Sequence, residues 1–365
     1  MVQPTMVAAA GTTSSGHPSS AAAVDIHIST RQPRFLTGSW PRQLGFDRMP
    51  NIWFAGRDQG ISREAFSLLH SAVRESTTAT YNRHWREFVS YVGSLEVVPP
   101  TMGMCVANFL AHLYDSGRFS SVSSIRQYRA ALVMAVQSIT GSSPSDNMWV
   151  QAVMQAIERL LPERPRYSAA WDVDLLFGYW ASQPPSSLLS LKLLQDKAMS
   201  LLMATGVMRS SDLRAMLPSS VTFSPDSLSF KLLNPKNAKG ETAPILLARN
   251  TTHPNACAVE AFQTYWSATQ QWRTSAVWVS VFGKHLPLSA RTIASRVLAI
   301  LESAGVDISK FKTHSIRMAA ASKALDKGAT LDEVLQHARW RSAAVFQRYY
   351  ERTRAKPKVS KLIMS

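Results

Sequence analysis

Hydrophobic positions recur along most of this chain with the 3.6-residue period of an α-helix. After the run STT at 76–78, Tyr81, Trp85, Phe88 and Val92 fall at i, i+4, i+7 and i+11, which predicts one amphipathic helix. Further helical patterns cover about 101–116, 122–139 and 147–161. Over 122–139, Ile125, Leu132, Val133 and Val136 are predicted to point inward, while Arg126 and Arg129 share a neighbouring face. Residues 76–161 therefore read as an all-helical bundle with one basic side. The stretch LPERPRYSAA breaks the period with Pro and Arg, so 162–170 reads as a linker. Helical patterns resume at 172–182 and 189–205, the latter stopped by Gly206, and a short helix in SSDLRAML ends at Pro218. The period then shortens. VTF, LSFKLL and TAPILL, separated by SPDS and NPKNAKGE, predict a small three-stranded antiparallel sheet. From 256 to about 352 the pattern is helical again, with GKHLPLS as a loop. The fold class expected is mainly α with a small antiparallel β-sheet: a helical domain, then an α+β domain over 171–352.

Composition changes this picture at the ends. Residues 1–35 are small, polar and aperiodic and are expected to be disordered. The transitional segment 36–75 carries Trp40, Phe46, Trp53 and Phe54, expected to dock on the body, and 353–365 is a basic tail with an apolar cluster at its end. The chain of 365 residues is long enough for two ordinary domains, and 45% hydrophobic against 18% charged residues suits a folded protein. Forty Lys and Arg against 24 Asp and Glu leave a formal +16, which suits a polyanion: nucleic acid first, a membrane surface second. No apolar run approaches the ~18 residues of a membrane span. The first thirty residues contain no Lys or Arg, matching neither a secretory signal nor an Arg-rich transit peptide. Cys105 and Cys257 lie far apart and read as free thiols of a soluble intracellular protein.

Four stretches could carry chemistry in a basic, two-domain helical protein. Arg209 sits between two predicted helices in ATGVMRSSDLRAM, and Lys236 sits at the tip of a predicted hairpin in NPKNAKGE. His314 and Arg317 are three apart in THSIR, and WRSAAVFQRYYER runs from Trp340 to Arg352 with Tyr349 and Tyr350 side by side. Each has an ordinary structural reading: a helix-junction arginine, a lysine that blunts a hairpin edge, a solvated pair, core aromatics. Their order changes the weighing. Arg, Lys, His-x-x-Arg, Trp and Tyr in this sequence, over about 76–352, resemble the tyrosine recombinase (phage integrase) family. The likeness is densest in ATGVMRSSDL, in HSIRMAAASKALDKGATLDEVLQ and in the block after Trp340. STTATYNRHWREF resembles that family's core-binding domain, while WDVDLLFGYW and AVFQRYY look more like recombinases of DIRS-type retrotransposons.

The resemblance implies DNA strand cleavage and rejoining through a covalent 3′-phosphotyrosyl intermediate, in site-specific recombination or integration of a mobile element. A tyrosine attacks the phosphodiester and stores the bond for religation. Arg209 and Arg317 would hold the non-bridging oxygens with paired charge-assisted hydrogen bonds, so no metal or other cofactor is required. Lys236, with Lys239 as its rival in the same loop, would protonate the departing 5′-oxygen, and His314 would assist proton transfer or orient the phosphate. Trp340 stands where many members have His; it can donate an indole N–H but cannot act as a base. His337, three residues earlier, is expected to be a bystander. Tyr349, nine residues after Trp340, has the family's usual spacing for the nucleophile, with Tyr350 as the alternative. The partners implied are double-stranded DNA and further copies of the chain, from dimer to tetramer, with Arg126 and Arg129 facing DNA and KVSKLIM a candidate for docking on a neighbour. In a eukaryote the site of action would be the nucleus. Two other readings share these residues: a domesticated DNA-binding protein that lost catalysis, and a nicking enzyme of the type IB topoisomerase kind.

Overall fold

The computed structural model describes residues 62–163, 167, 169–235, 240–273, 275–340 and 343. The chain divides between Glu163 and Arg164 into two units.

In the first unit, helix α1 (Arg63–Ala72) is capped by the Ser62 hydroxyl, which accepts from the Ala65 amide at 3.2 Å. It lies within the segment read as transitional. Helices α2 (Glu75–Gly93), α3 (Met102–Asp115), α4 (Val122–Thr140) and α5 (Met148–Leu160) follow the predicted periods. Thr101 caps α3, and Asn147 Oδ1 accepts from Trp149 and Val150 at the start of α5. α4 stops at Gly141, whose φ of 71° is the left-handed geometry that glycine supplies. The unit's core is built where α2 packs on α4 and α3 on α5. Trp85, Phe88, Leu110, Ile125, Leu132 and Val150 are fully buried there, each worth about 2 kcal/mol of burial. Val133 is only half-buried; the α4 face turned inward instead uses Tyr128, Ala131 and Ala135, because the small alanines let α2 and α3 approach.

The second unit holds α6 (Asp174–Ala181), α7 (Leu191–Thr205), α8 (Ser210–Arg214), the sheet, and α9 (Ala258–Ala268), α10 (Ala290–Ser303), α11 (Ile316–Asp326) and α12 (Leu331–His337). The sheet has the order β1 (Thr222–Phe223), β2 (Ser227–Phe230), β3 (Ile245–Ala248), antiparallel throughout. Its register pairs Leu228 with Leu247 and Phe230 with Ile245, so all four turn one face to the core. α7 is the central element: every residue from Leu194 to Ala204 is buried, and α9, α10 and α11 all pack on it. Such a helix cannot be amphipathic, so most of its polar side chains are partnered inside, while Lys197 Nζ has no hydrogen-bond partner among the described residues and lies 5.9 Å over the Trp180 ring. Gln195 donates to the Tyr265 hydroxyl and the Val279 carbonyl, and Ser200 Oγ accepts from the Trp180 indole at 2.9 Å. The architecture is the expected one, mainly helical with a small antiparallel sheet. Residues 1–35, the aromatics Trp40 to Phe54 and the C-terminal tail lie outside the described residues.

Candidate active site

The site grows from the carboxyl end of α7. Gly206 is the residue at which the helix ends, with φ of −88°, and a Cβ there would come within 2.9 Å of Met208 Cγ. The left-handed turn falls one residue later, on Val207, at φ 46°. Met208 donates back to the Met203 carbonyl at 3.0 Å and Val207 to Ala204 at 3.3 Å, the paired bonds of a Schellman end. α12 ends the same way. Arg339 takes the left-handed place at φ 55°, Trp340 donates to Leu335 at 2.9 Å, and Arg339 to Gln336 at 3.1 Å. α10 and α11 make the same turn on glycines, Gly305 and Gly328. A side chain in that geometry costs roughly 1–2 kcal/mol. Two such residues face each other here, and that concentration of strain marks the place.

Side chains from the 317–339 segment tie the two helix ends together. Arg317 is completely buried; its guanidinium donates to the Val207 carbonyl and, at 2.9 Å, to the Ala338 carbonyl. Arg339 donates to Gly206 at 3.2 Å and to His337 at 3.0 Å. His337 Nε2 lies 2.7 Å from the Thr205 carbonyl, which can only accept, so that nitrogen carries the proton. Three successive carbonyls at the negative end of α7, those of Thr205, Gly206 and Val207, thus receive donors from His337, Arg339 and Arg317.

One carboxylate sits among these cations. Asp212, buried in α8, accepts the Arg209 amide on Oδ2 at 3.0 Å, which fixes the start of that helix. The same oxygen lies 3.8 Å from Arg209 Nη1, 3.6 Å from Arg317 Nη1 and 3.7 Å from Arg339 Nη2. Burial lowers the pKa of Arg339; Asp212 opposes that shift and the neighbouring Arg209 adds to it. A guanidinium remains charged through such shifts. Arg209 and Arg339, with side chains 19% and 22% exposed, line a cleft of about 1120 Å³. Its other walls include Pro235, Glu241 and Gly328.

The predicted residues are placed as follows. Arg209 and Arg317 come together on Asp212, and Trp340 joins them through Arg317, whose guanidinium lies 5.0 Å over the Trp340 ring. Trp340 packs on the small cluster of Met318, Ala321 and Val334. His314 is exposed on the 3₁₀ turn Thr313–Ser315, whereas Arg317 lies in the first turn of α11 and is buried, so the pair does not share one solvated face. That turn is anchored on both sides: Thr313 donates to the Ala294 carbonyl at 2.7 Å, and Ser315 accepts the Trp171 indole at 2.8 Å. The hairpin loop is closed at its base by Asn234 and Gly240, which exchange bonds of 2.8 and 2.7 Å. Lys236 and Lys239, within that loop, lie outside the described residues, as do Tyr349 and Tyr350. In the first unit, Arg126 bridges Glu158 and Glu163, and Arg129 lines a shallow pocket with Met148 and Gln151.

Residues 187–356 match the phage integrase family. The chain carries a phage integrase family domain. That domain contains every candidate from Arg209 to Tyr350. No curated protein matches the sequence. Among solved structures, the chain is similar to the XerH site-specific recombinase bound to palindromic difH substrate in a post-cleavage complex. That match has 14% identity over 84% of this chain and 86% of that one, with a TM-score of 0.58. It is also similar to a lambda integrase (75–356) dimer bound to a COC′ core site, at 15% identity over 83% and 95%, with a TM-score of 0.51. A third likeness is to the Tn1549 transposon integrase in complex with circular intermediate DNA, at 12% identity over 87% and 99%, with a TM-score of 0.52. At these identities the likeness is one of fold.

Sequence reasoning missed Asp212 and Arg339 and set His337 aside in this integrase-family domain. Asp212 could have been sought, because an Asp three residues after Arg209 in a short predicted helix is a capping position. Arg339 carried no local signal; its role rests on a left-handed backbone that sequence patterns assign to glycine.

Proposed function

We propose that the protein is a tyrosine-type site-specific DNA recombinase that cuts and rejoins double-stranded DNA through a 3′-phosphotyrosyl link, serving a mobile element. The observation that carries this reading is the arginine cluster of Arg209, Arg317 and Arg339 on one buried carboxylate, beside a cleft, within a phage integrase family domain. The tyrosine oxygen attacks phosphorus, the bond to the 5′-oxygen breaks, and the leaving oxygen takes a proton from Lys236 (or Lys239). Religation is the reverse: a 5′-hydroxyl attacks the phosphotyrosine and releases the phenol. Arg209 reaches the non-bridging oxygens from the cleft wall. Arg317 holds the cleft's two helix ends and turns its guanidinium to the phosphate as DNA enters, with His314 on the turn before it assisting proton transfer. Trp340, whose ring lies under the Arg317 guanidinium, donates its indole N–H to a phosphate oxygen. The helical unit serves as the core-binding domain, with Arg126 and Arg129 on its DNA side. The protein acts inside the cell as a dimer to tetramer on DNA. Neighbours of the same fold described as dimers and tetramers on DNA support that reading, and among the described residues no helix is long and apolar enough to cross a membrane.

The test is covalent trapping. Wild-type protein is incubated with nicked duplexes from a library of candidate sites and resolved by denaturing gel, beside Tyr349→Phe and Tyr350→Phe. A protein–DNA adduct lost in Tyr349→Phe is the expected result. Loss only in Tyr350→Phe moves the nucleophile by one residue, and no adduct on any site from wild type removes the enzymatic reading.

A further inference from the structure

We propose that Arg339 is a third phosphate-binding guanidinium of this site, acting beside Arg209 and Arg317; this rests on reading the cleft as the DNA phosphate site. Three observations lead there. First, Arg339 holds a left-handed backbone at φ 55° where α10 and α11 use glycine for the same turn. The fold keeps a strained side chain where glycine would make the turn freely. Secondly, that side chain folds back to the cleft wall beside Arg209 instead of extending into solvent. Its two hydrogen bonds, to Gly206 and His337, use two of the five donors of a guanidinium. The only carboxylate within ion-pair range among the described residues is Asp212, at 3.7 Å and shared with two other arginines.

The third observation is the charge count. Glu241 and Glu333 also line the cleft; Lys231 offsets the first at 3.1 Å, while Glu333, hydrogen-bonded only to neutral Thr330 groups, keeps its negative charge. Arg209 and Arg317 against Asp212 and Glu333 leave no net charge. A DNA phosphodiester carries one negative charge, and an attacking phenolate brings a second into the pentacoordinate state. Arg339 supplies the one net positive charge that faces this phosphate, before any contribution from a lysine that gives its proton away. Trp340, the next residue, is neutral and supplies none. Arg339 therefore interacts more strongly with the transition state than with bound DNA.

The test uses the full chain and inorganic phosphate as probe, at low ionic strength, with affinity read by ³¹P NMR titration. Arg209→Ala and Arg339→Gly are each expected to weaken binding about tenfold, the loss of one charge-assisted contact. Arg339→Gly, freed of the strained backbone, should melt no lower than wild type. Arg339→Lys and Arg339→Gln both keep that backbone and lack the fork, so only charge separates them; Lys should bind phosphate several-fold tighter than Gln. Equal affinity in these two, or wild-type affinity in Arg339→Gly while Arg209→Ala loses it, overturns the assignment and leaves the cleft's reading intact. Wild-type protein that takes up no phosphate, or uptake indifferent to both Arg209→Ala and Arg339→Gly, overturns both.

Discussion

Asp212 holds the site at the residue scale. Its Oδ2 accepts the Arg209 amide and faces three guanidiniums, while Oδ1 is buried without a hydrogen-bond partner among the described residues. Asp212→Asn keeps the shape and deletes the charge. Arg209 and Arg339 are partly open to water, which screens their mutual repulsion, so most of the cost falls on Arg317, which has no solvent. Breaking a buried pair from one side costs roughly 3 kcal/mol. The urea midpoint of Asp212→Asn should drop accordingly with an unchanged slope. A loss below about 1 kcal/mol would mean that the backbone carbonyls alone hold the arginines.

At the scale of elements, most of the fold was legible because burial and period agree. The α2 stripe Trp85, Phe88 and Val92 is buried as its spacing predicts, and the alternating Leu228 and Phe230 pair with Leu247 and Ile245 as an antiparallel ladder requires. The helix ends that build the site were less legible. A glycine at 206 suggests the stop, yet the left-handed residue is Val207, tolerated because Arg317 holds its carbonyl from 110 residues away. Long-range support of that kind leaves no local trace, and neither does Arg339. His84 on α2 is a second case: nothing in the stripe marks it, yet it is buried and packs on Tyr128 of α4, ring centroids 3.7 Å apart and planes tilted by 36°. Neither ring nitrogen has a hydrogen-bond partner among the described residues. Burial holds the imidazole pKa below its ordinary 6.5, with Arg83 and Arg118 adding to the effect and Glu87 opposing it. The unfolded chain therefore binds this proton at higher pH than the folded one. The stability that His84 contributes is complete above about pH 6.5 and is lost as pH falls from there through the lower folded value. Urea midpoints measured from pH 7.5 to 5 should fall on the acid side, and His84→Leu should flatten that fall. An equally steep decline in His84→Leu would assign the acid sensitivity to other groups.

For the whole molecule the controlling quantity is charge that the protein cannot neutralise by itself. If every one of the 24 acids paired with one cation, 40 − 24 = 16 Lys and Arg would still remain. Many acids are already engaged within their units: Glu87 with Arg118, Asp196 with Arg296, Asp307 with Lys310, Asp212 with its three arginines. The excess must face solvent or a partner, and duplex DNA releases counterions when such cations replace them. With roughly six to ten phosphates contacted, affinity for a duplex of arbitrary sequence should fall about 10³- to 10⁵-fold between 50 and 200 mM salt. Fluorescence anisotropy on a labelled duplex gives the slope of log K against log salt directly. Individual cations separate by how firmly the fold holds them. Arg126 must exchange Glu158 and Glu163 for a phosphate, so Arg126→Ala should reduce the slope by less than the ~1 expected for an uncommitted contact. A wild-type slope shallower than about −2 would show that the basic excess does not serve DNA phosphates. It would then withdraw the electrostatic support for the recombinase reading while leaving the arginine cluster to be judged by covalent trapping.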